Sequence, residues 1–202
     1  MTASNSDRPT PEASPTPEAS KRGRFSPTNL SNVLALCVSL LALAIGAYQT
    51  RLMQSQARAS VWPFLTIGTT YTKGADADGF ILQVDNTGMG PAKVGTVKLA
   101  LDGKPLRTWE EVLDALDIKD VNYSTSSLIG DVIPPNLNRE TTIGAIHISE
   151  HQAAERFHAA ASRFSLEICY CSVYDECWIS RWHRSGVEPV ARCVMPEVGF
   201  EN

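Results

Sequence analysis

Cys169, Cys171, Cys177 and Cys193 fall within the last 35 residues, and a fifth cysteine, Cys37, stands alone far upstream. Thiols gathered this closely either close disulfides in an oxidising compartment or ligate a metal as thiolates. The spacing C-x-C-x5-C-x15-C lacks the paired C-x2-C knuckles of structural zinc sites. Bridges are therefore the favoured reading, with metal ligation and unpaired thiols as the alternatives. Four cysteines allow three pairings. Cys169 with Cys171 is the poorest, since residues two apart on one strand face lie near the limit of bridging reach. Cys171 and Cys177 flank the segment Ser172–Glu176 and are placed to clasp it, which leaves Cys169 for Cys193.

Other reactive constellations are weaker. His147 and His151 are four apart, but Ser149 between them reads as a helix cap, which puts His147 on a strand and His151 on a helix. A zinc protease needs H-E-x-x-H inside one helix, and that motif is absent. His158 and His183 add no ligand set. There is no G-x-S-x-G elbow, no S-x-x-K and no glycine-rich phosphate loop. Glu110 and Glu111 are adjacent on a predicted helix and point apart, and the run Ser124–Ser127 reads as a mobile loop. No catalytic residue, metal site or cofactor is expected, so the reading is non-enzymatic. The alternative is an envelope enzyme using thiol or metal chemistry in the C-terminal Cys/His region.

The elements that would carry these side chains are mostly strands. Aliphatic and aromatic runs recur between turn signals at 62–72, 79–86, 92–101, 128–134, 141–148, 164–173, 177–182 and 187–194. In the sixth run Phe164, Leu166, Ile168 and Tyr170 share one face, and Ser165, Glu167, Cys169 and Cys171 share the other. Two short helices interrupt the strands. Thr108-Trp109-Glu110-Glu111 and Ser149-Glu150-His151-Gln152 are capping boxes. Behind them, Trp109, Val112, Leu113 and Leu116, then Ala153, Ala154, Phe157 and Ala161, form inward stripes. Seven or eight strands in ~140 residues fit a β-sandwich of immunoglobulin-like size.

Between the second and third runs stands Asp85-Asn86-Thr87-Gly88-Met89-Gly90-Pro91-Ala92. Gly88 and Gly90 suit positive φ at a corner between strands, and Pro91 suits a blocked edge. Asn86, Gly88, Gly90 and Pro91 are therefore read as a structural turn. This N-x-G-x-G-P-A stretch resembles patterns in extracytoplasmic immunoglobulin-like sandwiches of single-span bacterial membrane proteins. The resemblance covers about 20 residues and implies fold and location, with no catalytic residue.

The N-terminal quarter has a different character. Residues 30–48 carry no charge over 19 residues, ~28 Å as a helix, which suits a bilayer core of ~30 Å. Twenty-nine residues precede them, too many for the n-region of a cleaved signal peptide, and Leu36 before Cys37 does not fit a lipobox. Residues 1–29 hold five prolines, nine Ser and Thr, and a doubled Pro-Thr-Pro-Glu-Ala-Ser hexapeptide, a composition expected to be disordered. Lys21, Arg22 and Arg24 crowd the N-terminal flank of the apolar run, against Arg51 and Arg58 beyond it, so the tail is expected in the cytoplasm. Ala35/Ser39 and Ala42/Gly46 offer small-xxx-small spacing for pairing two such helices into a homo-oligomer.

Residues 52–202 hold 13 Lys and Arg against 19 Asp and Glu, a net charge of −6, which argues against a nucleic-acid partner. The expectation is a disordered tail (1–29), a transmembrane helix (30–48), a helical stalk (49–60) and a mainly β, immunoglobulin-like sandwich with two short helices (61–202). Such a chain would sit in the inner membrane of a bacterium with its C-terminal domain in the periplasm. It would serve as an interaction or accessory protein in contact with the lipid bilayer and a protein partner of an envelope assembly.

Overall fold

The computed structural model describes residues 27–73, 79–136 and 142–201. The chain falls into two compact units, Met1–Gln49 and Thr50–Asn202. The expected disordered tail lies outside the described residues except at 27–29, and Lys21, Arg22 and Arg24 lie outside them too.

The first helix, α1, runs from Pro27 to Ser60 without a break, so it starts earlier than the apolar run. Proline suits a first helical position because its missing N–H has no intrahelical acceptor there. From Asn29 to Ser60 the helix is long and apolar enough to cross a membrane. The hydroxyl of Ser39 donates to the carbonyl oxygen of Ala35 at 2.8 Å, so this polar group is satisfied within the helix. The helix ends where Trp62-Pro63 begins, since the residue before proline is pushed out of the helical region.

The second unit is mainly β, with all pairings antiparallel. Its strands are β1 (Leu65–Thr72), β2 (Gly79–Asn86), β3 (Ala92–Leu101), β4 (Lys104–Leu106), β5 (Tyr123–Thr125), β6 (Val132–Ile133), β7 (Ile143–Ile148), β8 (Phe164–Cys171), β9 (Cys177–Arg181) and β10 (Val187–Val190). One sheet has the order β1-β2-β7-β5, the other β10-β9-β8-β3-β4, with β6 pairing β3 beside β4. The two sheets share one core. Leu65, Phe80, Leu82, Val84, Ile146 and Ile148 meet Val97, Leu99, Leu166, Ile168 and Tyr170 there, all buried. Two side-chain hydrogen bonds cross between sheets at one residue: Leu65 N donates to the Tyr170 hydroxyl at 3.2 Å, and the Ser180 hydroxyl donates to Leu65 O at 2.9 Å.

Helix α2 (Trp109–Ala115) sits in the connection from β4 to β5, and helix α3 (His151–Ala160) in that from β7 to β8. Thr108 caps α2, its hydroxyl accepting from Glu111 N at 3.3 Å. The cap expected at Ser149 is not formed: Glu150 occupies the cap position and makes no side-chain cap bond. The inward stripe of α3 ends at Ala160, buried, with Ala161 half-buried in the following turn.

Several strand expectations change, and the run 187–194 shortens to β10, leaving Cys193 beyond it. The run 128–134 narrows to β6, because Gly130 turns the chain at φ 80°. The Asp102-Gly103 turn, with φ of 50° and 80°, folds β4 back onto β3 as a tight hairpin. Ser124 and Thr125, expected in a mobile loop, are paired with His147 and Ile146 as part of β5.

Candidate functional site

On β8, Phe164, Leu166, Ile168 and Tyr170 are buried in the core, and Cys169 and Cys171 alternate onto the outer face. Cys171 is the register partner of Cys177 on β9, and the two are bonded with Cα atoms 4.0 Å apart. This closes the Ser172–Glu176 turn, whose base is also held by Ser172 N donating to Glu176 O at 2.8 Å. Cys169 is bonded to Cys193, at a Cα separation of 5.6 Å. Cys37, on α1, is free and exposed.

Cys193 belongs to a strap. After β10 the chain turns back across the outer face of the second sheet and reaches the far side of β3. There Phe200 N donates to Val97 O at 3.0 Å and Glu201 N to Arg107 O at 2.6 Å. Phe200 is buried against Trp109, ring centroids 4.9 Å apart. The strap crosses β3 at Gly95, where a Cβ would lie 2.9 Å from the Cβ of Cys193 and 3.1 Å from its sulfur. Gly95 is also where the β3–β8 register shifts. A glycine inside a strand marks such close approaches, and that signal was present in the sequence unread. Beside the strap, Thr96, Lys98, Glu167, Cys169, Ile179 and Arg192 line a hollow of about 190 Å³. That is below the usual size of a small-molecule site.

The Asn86 segment does something other than a positive-φ corner. Among the described residues the glycines with positive φ are Gly103, Gly130 and Gly186, so Gly88 and Gly90 are not required for that reason. They are required by crowding. A Cβ at Gly88 would meet the backbone of Trp62, Pro63 and Phe64, and one at Gly90 would overlap the backbone of Val61. Pro91 blocks no edge, since β3 lies inside its sheet and Pro91 merely precedes its first paired residue.

The fully buried Asn86 amide organises this approach. Its Oδ1 accepts from Phe64 N and Gly88 N, both at 3.1 Å. Its Nδ2 donates to Gly90 O at 2.8 Å and to Ile133 O at 3.0 Å. Thr87 N donates to Phe64 O and Met89 N to Trp62 O, each at 2.9 Å. The motif is thus a clamp on the segment that follows α1. The β8–β9 turn meets the end of α1, and β9 meets the segment itself. Arg58, in the last turn of α1, lies 3.4 Å from a Glu176 carboxylate oxygen and over the Tyr174 ring, while Trp62 packs near Trp178.

The remaining candidates stay apart. His147 lies on β7, His151 opens α3, His158 stacks on Tyr71, and His183 stacks on Trp182. Glu110 accepts from the Tyr123 hydroxyl at 2.8 Å, a bond that holds its carboxyl below the usual range, whereas Glu111 accepts from Arg107 N. Among the described residues, the group of three ligand-type atoms close enough to share a metal is Cys171, Cys177 and Cys193, and all three sulfurs are in bridges. No family model, no curated protein and no solved structure matches the chain.

Proposed function

We propose that the chain is a single-pass, membrane-anchored interaction or accessory protein that presents an exported immunoglobulin-like sandwich and performs no catalysis. The observation that carries the reading is the strand order. In immunoglobulin domains, strands A, B, E and D form one sheet, and G, F, C and C′ form the other. The order β1-β2-β7-β5 corresponds to the first, and β9-β8-β3-β4 to the second, with β10 added at the edge. The resemblance carried by Asn86–Ala92 points the same way. The departure is the disulfide between B and F: here the equivalent strands are β2 and β8, and both bridges lie on the outer face instead.

Two disulfides fit an oxidising compartment. With Lys21, Arg22 and Arg24 on the cytoplasmic side of an inner-membrane anchor, the second unit lies in the periplasm of a bacterium. A sandwich of this kind offers loops and edge strands, so its partner is a protein of an envelope assembly, with helix pairing through α1 as a route to a homo-oligomer.

Alkaline phosphatase fused after Asn202 is then active and a fluorescent protein there is dark. Photo-crosslinkers at Met89, Val132 and Tyr123, all on the second unit, give one discrete adduct in intact cells. The reverse fusion pattern overturns the exported location, and crosslinks to lipid alone overturn the protein partner.

A further inference from the structure

The two bridges touch. The sulfurs of Cys171 and Cys193, which belong to different disulfides, lie 3.8 Å apart. Those of Cys171, Cys177 and Cys193 all fall within 4.8 Å of one another, with Cys171 and Cys193 half-buried and Cys177 buried. Thiol–disulfide exchange requires a thiolate to meet a bonded sulfur, and its rate depends on access. That approach is already built into the fold. Lys93, the register partner of Cys171 on β3, is paired with Asp175 of the β8–β9 turn at 2.6 Å, so the turn is also held to β3 beside the bridges.

We propose that the two bridges form an exchange pair, in which Cys171 passes from Cys177 to Cys193. The co-reactant is a dithiol, protein or small molecule. Its thiolate attacks the half-buried sulfur of Cys171, the Cys171–Cys177 bond breaks, and Cys177 leaves as a thiolate that takes a proton. The second thiol of the co-reactant then displaces Cys171 and closes its own disulfide. The Cys171 thiolate attacks Cys193, the Cys169–Cys193 bond breaks, and Cys169 leaves and is protonated. The dithiol has lost two electrons and two protons, which reside in the thiols of Cys169 and Cys177.

The exchange has a mechanical result. The strap stays covalently tied to β8, two residues further along, while the turn Ser172–Glu176 loses its clasp. That turn carries Tyr174 and Glu176, which contact Arg58 at the end of α1. Exchange therefore loosens the turn's hold on the end of α1 without releasing the strap.

Cys169→Ala in the full chain, in a Cys37→Ser background, tests the exchange with no reductant. The freed Cys193 thiolate attacks Cys171, and Cys177 becomes the free thiol. Alkylation in detergent followed by non-reducing peptide mapping is expected to give two populations: Cys171–Cys177 with Cys193 labelled, and Cys171–Cys193 with Cys177 labelled. Label on Cys193 alone overturns the proposal. Should Cys169→Ala fail to fold, the Cys37→Ser chain is treated with one equivalent of dithiothreitol and alkylated. A one-bridge species joining Cys171 to Cys193 supports exchange. One-bridge species holding only the original pairs overturn it.

Discussion

Gly95 and Cys193, almost a hundred residues apart, occupy one van der Waals space: a Cβ on the first would stand 2.9 Å from the Cβ of the second. A methyl group there must push either the strap or its bridge. Gly95→Ala is expected to destabilise the domain by about 1–3 kcal/mol, the range for overfilling a packed site. In a Cys193→Gly background, which removes both the Cβ and the sulfur, the same substitution should be much milder. Thermal melts of the four proteins of this cycle measure the coupling, and additive effects would refute the contact.

The two bridges should differ in value. Cys169–Cys193 spans 24 residues and Cys171–Cys177 spans six. Restricting the longer unfolded loop removes more entropy, so Cys193→Ala should lower stability by about 3 kcal/mol and Cys177→Ala by roughly 1 kcal/mol less. Denaturant melts without reductant check the order. In dithiothreitol the difference between each variant and the parent should vanish.

Asn86→Ala removes both acceptor bonds and both donor bonds of the buried amide. It is expected to cost about 3 kcal/mol and to expose the segment after α1 to protease. Gly90→Ala should give the same cleavage pattern through a steric route. Mapping the first cut in limited proteolysis distinguishes a released segment, cut between Val61 and Phe64, from general unfolding.

Much of this architecture was legible in the residues, for reasons that can be named. β2 and β3 match their expected limits because each apolar run is closed by turn residues, Asn86-Thr87-Gly88 at one junction and Asp102-Gly103 at the other. The outward face of β8 was readable because period-two alternation is a local property. β5 was not, because Tyr123-Ser124-Thr125 has no apolar run and is drawn into its sheet by pairing with β7. Ser149 looked like a cap from spacing alone, but the chain enters α3 one residue later. The clamp role of Gly88 and Gly90 was hidden for a different reason. Backbone crowding by residues 61–64 depends on a partner more than 20 positions away, and no local pattern encodes it.

The buried Tyr170 hydroxyl gives a pH signature. Burial pushes its pKa up to about 12, against an ordinary value of 10.0. In the unfolded chain the phenol therefore ionises first, so the folded state binds the extra proton across that interval. Its contribution is fully present below pH 10 and is lost as the pH rises from 10 to about 12. Tyr170→Phe should flatten this alkaline loss. It should also lower neutral stability by about 1–3 kcal/mol, because Leu65 N keeps no acceptor in its place. Melts at pH 8, 10 and 11 compare the two slopes, and parallel slopes would exclude Tyr170 as their source.

The strap also dictates an order of events during synthesis. Phe200 bonds to Val97 in the stretch of β3 left open between its pairings with β6 and β4. Every strand the strap crosses is translated before it. The β8–β9 turn can fold and close its bridge from neighbouring residues. Strand β3, by contrast, keeps an unfilled stretch of ladder until residues a hundred positions later arrive. A nascent chain halted before Phe200 would therefore hold a nearly complete fold with that stretch of β3 still open to capture by another chain.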